Sequence, residues 1–347
     1  MSNSSLLTPH SSRILVVAPS WIGDTIIAQP LLMRLRERGA RIDVLAPAWS
    51  APLLRRMAEV DRVIESPFRH GDFALLRRRA LGLQLAGEGY DEAIVLPSSW
   101  KSALIPWFAD VPKRTGFIGE ARIGLLNNRH VLNPEAVPLL AERYASLAEP
   151  AGSPLPRPLR QPHLSSTAEQ QAVVRAGLGL PPNAHPIVFC PGAEYGPAKR
   201  WPARHFAALA KSLATPDKPV WLIGSDKDKA IGDEIARRAD GHALNLCGRT
   251  TLEQAIDLLA GASTVVSNDS GLMHVAAALG RPLVAVYGSS SPAYTPPLSP
   301  RAKIVTLNLV CSPCFKRECP LGHLNCLEKL SPEQILTAMN NIGHAND

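Results

Sequence analysis

The chain is poor in aromatic residues, 5% of 347, and has no long uncharged apolar run. Its longest apolar stretches are broken by Lys101, Gly271 or Arg281 before the roughly 18 to 20 residues that a bilayer span requires, so no transmembrane helix is expected. No G-x-G-x-x-G follows a strand-like run, and Gly177-Leu178-Gly179 follows a helical stretch instead. That absence counts against a nicotinamide or flavin enzyme such as a sugar epimerase or dehydrogenase. A P-loop is missing too. Met1 to Ser12 has no basic start and only Leu6-Leu7 as an apolar pair, so it reads as a leader without secretory or transit character, on a cytoplasmic protein.

What the chain does have is enough length for about two domains, and with 46% hydrophobic and 19% charged residues it can bury an ordinary core. Its net charge is +7, from 37 basic and 30 acidic residues. The surplus sits mainly before Arg160, in clusters such as Arg55-Arg56, Arg69-His70, Arg77-Arg78-Arg79 and Lys113-Arg114. Such a surface attracts anions. Nucleic acid is the weaker candidate, because few aromatics accompany these clusters to stack on bases.

Apolar, β-branched runs alternate with helical stretches along the whole chain. Strands are expected at Arg13 to Ala18, Ile42 to Ala46, Arg62 to Ile64, Glu92 to Leu96 and Arg114 to Phe117. Helices are expected from Asp24 to Arg38, kinked at Pro30, and at Ser50 to Ala58 and Asp72 to Ala86. A proline-rich segment, Ala151 to Pro162, then interrupts the rhythm. After it come strands at Ile187 to Cys190, Val220 to Ile223, Ala243 to Leu246, Thr264 to Ser267 and Leu283 to Tyr287, with helices at Ala203 to Leu213, Asp228 to Arg238, Leu252 to Ala260 and Gly271 to Leu279. The expected organisation is a leader over 1–12, an α/β domain over 13–150, a linker over 151–165 and a second α/β domain over 166–347. Both domains would be Rossmann-like and doubly wound, facing a cleft where strand ends collect ligands.

Three turns carry chemistry. Pro19-Ser20-Trp21-Ile22-Gly23-Asp24 leaves the first strand, and Asp24 either caps the following helix or works as a cleft carboxylate. Cys190-Pro191-Gly192-Ala193 ends a strand, and Lys199 just after it suits a pyrophosphate. Ser267-Asn268-Asp269-Ser270-Gly271-Leu272-Met273-His274 ends a strand and opens a helix whose first amides would cradle phosphate. Asp269 caps that helix or accepts from sugar hydroxyls, and His274 lies one turn on, on the same face as Ser270. Near the end, Cys311, Cys314, Cys319 and Cys326, with His323 among them, read as a zinc site or as a structural thiol-rich loop.

Together these residues resemble the ADP-heptose:lipopolysaccharide heptosyltransferases, from Arg13 nearly to the C-terminus. The likeness rests on Pro19 to Asp24, Pro191 to Pro202, Leu246 to Leu252, Ser267 to His274, Tyr287 to Pro292 and the cysteine segment. It is greatest to the branch that adds the second core heptose. The resemblance implies a GT-B architecture, with acceptor on the N-terminal domain and nucleotide-sugar on the C-terminal one. It implies inverting transfer without metal or cofactor. Asp24 matches the catalytic aspartate, Lys199 the donor-phosphate lysine, and Asp269, Ser270, Gly271 and His274 the donor-binding turn. Asp228 and Thr250 match nucleoside contacts, while Gly23, Arg77, Arg78 and Lys101 fall on the acceptor side. The implied partners are ADP-heptose, a heptosyl-Kdo2-lipid A type acceptor and the inner leaflet of the cytoplasmic membrane, with no nucleic acid. A first or third heptosyltransferase, with a different core acceptor, is the alternative. Thr25 stands where the family usually has methionine.

Overall fold

The computed structural model describes residues 11–68 and 71–342. The expected leader lies mostly outside the described residues, as does Arg69-His70. Of the leader, Ser11 donates its hydroxyl to the Gly39 carbonyl at 2.6 Å, and Ser12 accepts from the Arg41 amide.

The chain divides into two compact units. One holds the described residues up to Ser20 together with Ala28–Arg160, and the other holds Trp21–Ile27 together with the described residues from Gln161 onward. The expected linker over 151–165 is therefore shared: Leu155 packs with Val137 and Ala145 of the first unit, whereas the Leu164 amide bonds to the Ala278 carbonyl of the second.

In the first unit, strands β1 (Arg13–Val17), β2 (Arg41–Pro47), β3 (Arg62–Ser66), β4 (Glu92–Val95), β5 (Lys113–Phe117) and β6 (Asn128–His130) form one sheet. Their order is β3-β2-β1-β4-β5-β6, and every pairing is parallel. Ile14 to Val17 and Ala93 to Val95 are buried, as strands covered on both faces must be. Helix α1 (Ile22–Ile27) leaves this sheet, and α2 (Gln29–Glu37), α3 (Ala51–Leu54), α4 (Leu75–Ala86), α5 (Leu104–Phe108) and α6 (Leu140–Ser146) follow. The single helix expected from Asp24 to Arg38 is two helices. Pro30 has no amide to donate and so fits the first turn of a new helix, not the middle of a long one. The helix expected at Ser50 to Ala58 shrinks to a 3-10 turn plus α3.

The second unit repeats the plan. Strands β7 (Ile187–Cys190), β8 (Val220–Leu222), β9 (Ala243–Asn245), β10 (Thr264–Asn268), β11 (Leu283–Val286) and β12 (Ala302–Val305) run in the order β12-β11-β10-β7-β8-β9, again all parallel. Around them lie α7 (Ala168–Gly177), α8 (Ala203–Leu213), α9 (Lys229–Arg238), α10 (Leu252–Ala260), α11 (Gly271–Ala278), α12 (Asn325–Glu328) and α13 (Pro332–Asn340). Phe189, Trp201, Phe206, Val284 and Leu327 belong to one buried cluster. In both units the chain's first strand pairs with its fourth, β1 with β4 and β7 with β10. There the winding direction reverses and the carboxyl ends of doubly wound sheets bind ligands.

Candidate functional site

The second unit's switch point is tied together by one buried asparagine. Asn268, last residue of β10, accepts from the Trp201 amide at 3.0 Å and donates to the Pro191 carbonyl at 2.7 Å. Trp201 is itself buried, and its indole N–H reaches the Leu330 carbonyl. These bonds fix the loop between β7 and α8, which carries Lys199, against the end of β10. The Lys199 ammonium lies 2.5 Å from Asp269 Oδ2, and the same oxygen accepts from the Ser290 hydroxyl at 2.5 Å. Asp269 is thus occupied by Lys199 and Ser290 and does not cap the next helix. Ser270 is the residue before α11, and no side chain caps that helix's first turn. An uncapped, glycine-led helix start suits an anion.

Trp21–Ile27 packs into this same unit because two glycines let α1 and α11 begin side by side. A Cβ on Gly23 would sit 2.9 Å from His274 Cδ2, and one on Gly271 would sit 3.1 Å from Ile22 Cβ. The consequence is that Asp24 stands in the first turn of α1, near Lys199 and Asp269. Asp24 is half-buried and has no hydrogen-bond or ion-pair partner among the described residues, so it caps nothing. Burial chiefly, and Asp269 to a lesser degree, push its carboxyl up to about 6, against the downward pull of Lys199. His274 is buried, and burial pushes its imidazole down to about 4, so it is neutral at pH 7. Thr25 turns its hydroxyl back to the Trp21 carbonyl at 2.9 Å.

The nucleoside positions lie at neighbouring strand ends. Asp228 follows β8 and accepts from the Ser225 amide at 3.0 Å and hydroxyl at 2.7 Å, which makes it the lock of its own turn. A Cβ on Gly192 would fall 2.4 Å from the Asp228 carboxyl carbon, so that glycine gives Asp228 its place beside the end of β7. Thr250 is half-buried in the loop after β9, directly before Thr251, which caps α10.

On the first unit the basic cluster separates by role. Arg78 is buried, and its guanidinium donates to the carbonyls of Phe73 (2.7 Å), Asp72 (2.9 Å) and Lys101 (3.3 Å) while covering the Phe68 ring. It staples the start of α4 to the 3-10 turn at Trp100–Ala103, where Lys101 is half-buried. Arg77 and Arg79 are exposed. A run of three arginines gives no sign that its middle member points inward; only the 3.6-residue period of α4 shows it.

The cysteine segment buttresses the Lys199 loop. Arg317's carbonyl accepts from the Ala198 amide at 3.0 Å, the Phe315 amide donates to Ser289, and Phe315's carbonyl takes the Tyr195 hydroxyl at 2.8 Å. The Tyr195 ring lies under Lys199. Cys311, Cys314, Cys319, His323 and Cys326 line one small cavity there. All six cysteines are free thiols, and among the described residues no three His, Cys, Asp or Glu side chains are grouped to hold a metal. Of the residues holding the site, Asn268 and Ser290 lay inside recognised motifs, but nothing in their identity told which strand-end groups they would join.

The glycosyltransferase family 9 (heptosyltransferase) profile matches residues 78–325. The chain is 45% identical to the lipopolysaccharide heptosyltransferase 2 of Salmonella typhimurium strain LT2, over 95% of this chain and 98% of that one. It is 46% identical to the enzyme of the same name from Escherichia coli K12, over 94% and 97%. The solved structure of E. coli ADP-heptose LPS heptosyltransferase II superposes with a TM-score of 0.85 at 44% identity, covering 95% of this chain and 98% of the other. Two parallel six-stranded α/β units and this likeness place the chain in the GT-B class. No helix among the described residues is long and apolar enough to cross a membrane.

Proposed function

Because this chain belongs to glycosyltransferase family 9, the heptosyltransferases, we propose that it transfers L-glycero-D-manno-heptose from ADP-heptose, with inversion, onto the first heptose of the lipopolysaccharide inner core. The observation that carries the mechanism is Asp24, an unpartnered half-buried carboxyl near the Lys199–Asp269 pair. The acceptor hydroxyl oxygen attacks the anomeric carbon of the donor, and the bond from that carbon to the diphosphate oxygen breaks. Asp24 takes the hydroxyl proton, and ADP leaves with the bonding electrons. A general base of this kind is worth about 10²- to 10⁴-fold.

Charge builds on the departing diphosphate, where Lys199 and the uncapped start of α11 at Ser270 and Gly271 stabilise it. Asp269 holds Lys199 in place, and neutral His274 offers an N–H without adding charge. Asp228 and Thr250 face the nucleoside end. Gly23, next to Asp24 in the chain, belongs to the acceptor side, and Arg77 and Lys101 meet the acceptor's anionic groups. Arg78, enclosed by carbonyls, is withdrawn from that set. The acceptor is lipid-anchored, so the enzyme works at the inner face of the cytoplasmic membrane.

The test is a transfer assay with ADP-heptose on two purified acceptors, truncated before and after the first core heptose. Product is expected only on the acceptor that already carries one heptose. Equal or better transfer onto the heptose-free acceptor would reassign the chain to the first heptosyltransferase's reaction.

A further inference from the structure

Helix α4 turns leucines outward as well as inward. Its buried residues are Arg78, Gly82 and Leu85, whereas Leu76 is 81% and Leu83 51% exposed. At 3.6 residues per turn Leu76, Ala80 and Leu83 form one outward stripe, flanked by Arg79 on one side and Arg77 on the other. The helix has three arginines and no acidic residue. At its start the exposed apolar surface continues: Phe73 is 47% and Trp100 37% exposed, and their rings lie 5.2 Å apart. The buried side explains why the helix tolerates this. Gly82 lies so close to α5 that a Cβ would meet Phe108 Cβ at 2.4 Å, Arg78 binds three carbonyls, and Leu81 and Leu85 pack into the core beneath, so α4 is held without its outward leucines.

We infer that the outward face of α4, with Phe73 and Trp100, is a docking surface for an anionic lipid bilayer. An apolar stripe between arginines, with aromatics at one end, matches the acyl boundary and the phosphate layer of such a surface. The charge identifies the occupant. A second copy of the chain would bring arginines against arginines, whereas anionic headgroups meet a surface of one opposite sign. The inference deepens the reading of the enzyme as one that works on a lipid-anchored acceptor, yet vesicle binding is measured without any transfer.

The experiment is sedimentation of the full chain with vesicles of phosphatidylcholine alone and of phosphatidylcholine mixed with phosphatidylglycerol. Binding is expected to the mixed vesicles only and to fall with added salt. Leu76→Gln/Leu83→Gln should weaken it about tenfold or more. Arg77→Gln/Arg79→Gln should weaken it roughly 10- to 30-fold and flatten the salt dependence. Both leucines are exposed, so the leucine variant should keep the wild-type thermal midpoint and wild-type transfer onto a soluble, delipidated acceptor. Equal binding to both vesicle types, or wild-type binding by the leucine variant, overturns the inference. So does a self-association of the wild type that the leucine variant abolishes, which gives the face to a second copy. If no acceptor is glycosylated at all while vesicle binding follows the expected pattern, the transfer reading fails and the docking surface stands.

Discussion

Two buried aspartates, one in each unit, hold cations in different ways. Asp43 in β2 accepts from Arg13 at 3.0 Å, Arg62 at 2.9 Å and the Tyr90 hydroxyl at 2.7 Å, and Glu88 binds both arginines again. It is a closed network, in which every charge near the aspartate has an opposite neighbour. Asp269, just beyond β10, also holds a cation and a hydroxyl, but half-buried Asp24 stands near that pair with no partner of its own. The first cluster stabilises the fold; the second leaves a carboxyl that burial pushes up to about 6. Catalysis is expected where the accounting is left open, and that expectation can be broken by four measurements.

The largest effect belongs to Asp24→Asn. Turnover should fall by about 10²- to 10⁴-fold with donor affinity nearly unchanged, since only the proton acceptor is removed. Wild-type turnover in a quenched transfer assay would return Asp24 to the same class as Asp43. Next comes Lys199→Ala. It should weaken ADP-heptose binding by calorimetry and lower turnover by about 10²-fold, because its charge meets the diphosphate before and more strongly during departure. Unchanged donor affinity would remove Lys199 from the site.

The same contrast shows what the sequence could and could not disclose. The alternation of strands and helices, the doubly wound α/β class and the positions of the three turns were legible, because apolar β-branched runs and the glycine- and aspartate-bearing turns after them are local signals. Short polar strands were not: β6 is Asn-Arg-His, and only its partner β5 makes it a strand. Helices α6 and α13 were passed over, although the Ser331 hydroxyl caps the second of them. The roles of Asp269 and Arg78 were invisible for a different reason. Whether a carboxylate caps a helix or holds a lysine 70 residues away depends on the distance between chain segments that no local pattern encodes. That Trp21–Ile27 would join the second unit was likewise set by Gly23 and Gly271 together, not by either alone.

The third prediction reverses the first. Asp43→Asn should destabilise the protein by about 1 to 3 kcal/mol, a value kept low because Arg13 and Arg62 are partly exposed and retain Glu88. Turnover of the folded variant should stay within about twofold of wild type. Urea unfolding and a transfer assay on the same sample check both halves, and a turnover loss like that of Asp24→Asn would erase the distinction between the two clusters.

The last prediction is the smallest and the sharpest, because one proton should move rate and stability in opposite senses. Burial holds the Asp24 carboxyl up at about 6 in the folded protein, above its ordinary 3.8. As a base it must be ionised, so kcat/KM should drop as pH falls through about 6, roughly tenfold between pH 7 and pH 5. Stability runs the other way. A carboxyl whose folded pKa is raised binds its proton more tightly when folded, so its contribution is greatest below about 4 and is lost as pH rises through about 6. Asp24→Asn should therefore melt higher than wild type at pH 7, by an amount on the order of 1 to 2 kcal/mol, and show no such advantage near pH 4. Lys199 lowers the Asp24 value, so Lys199→Ala should move the midpoint of the remaining rate profile upward. A profile that stays flat from pH 7 to 5, or a midpoint unmoved by Lys199→Ala, would mean that the two side chains do not share one electrostatic site.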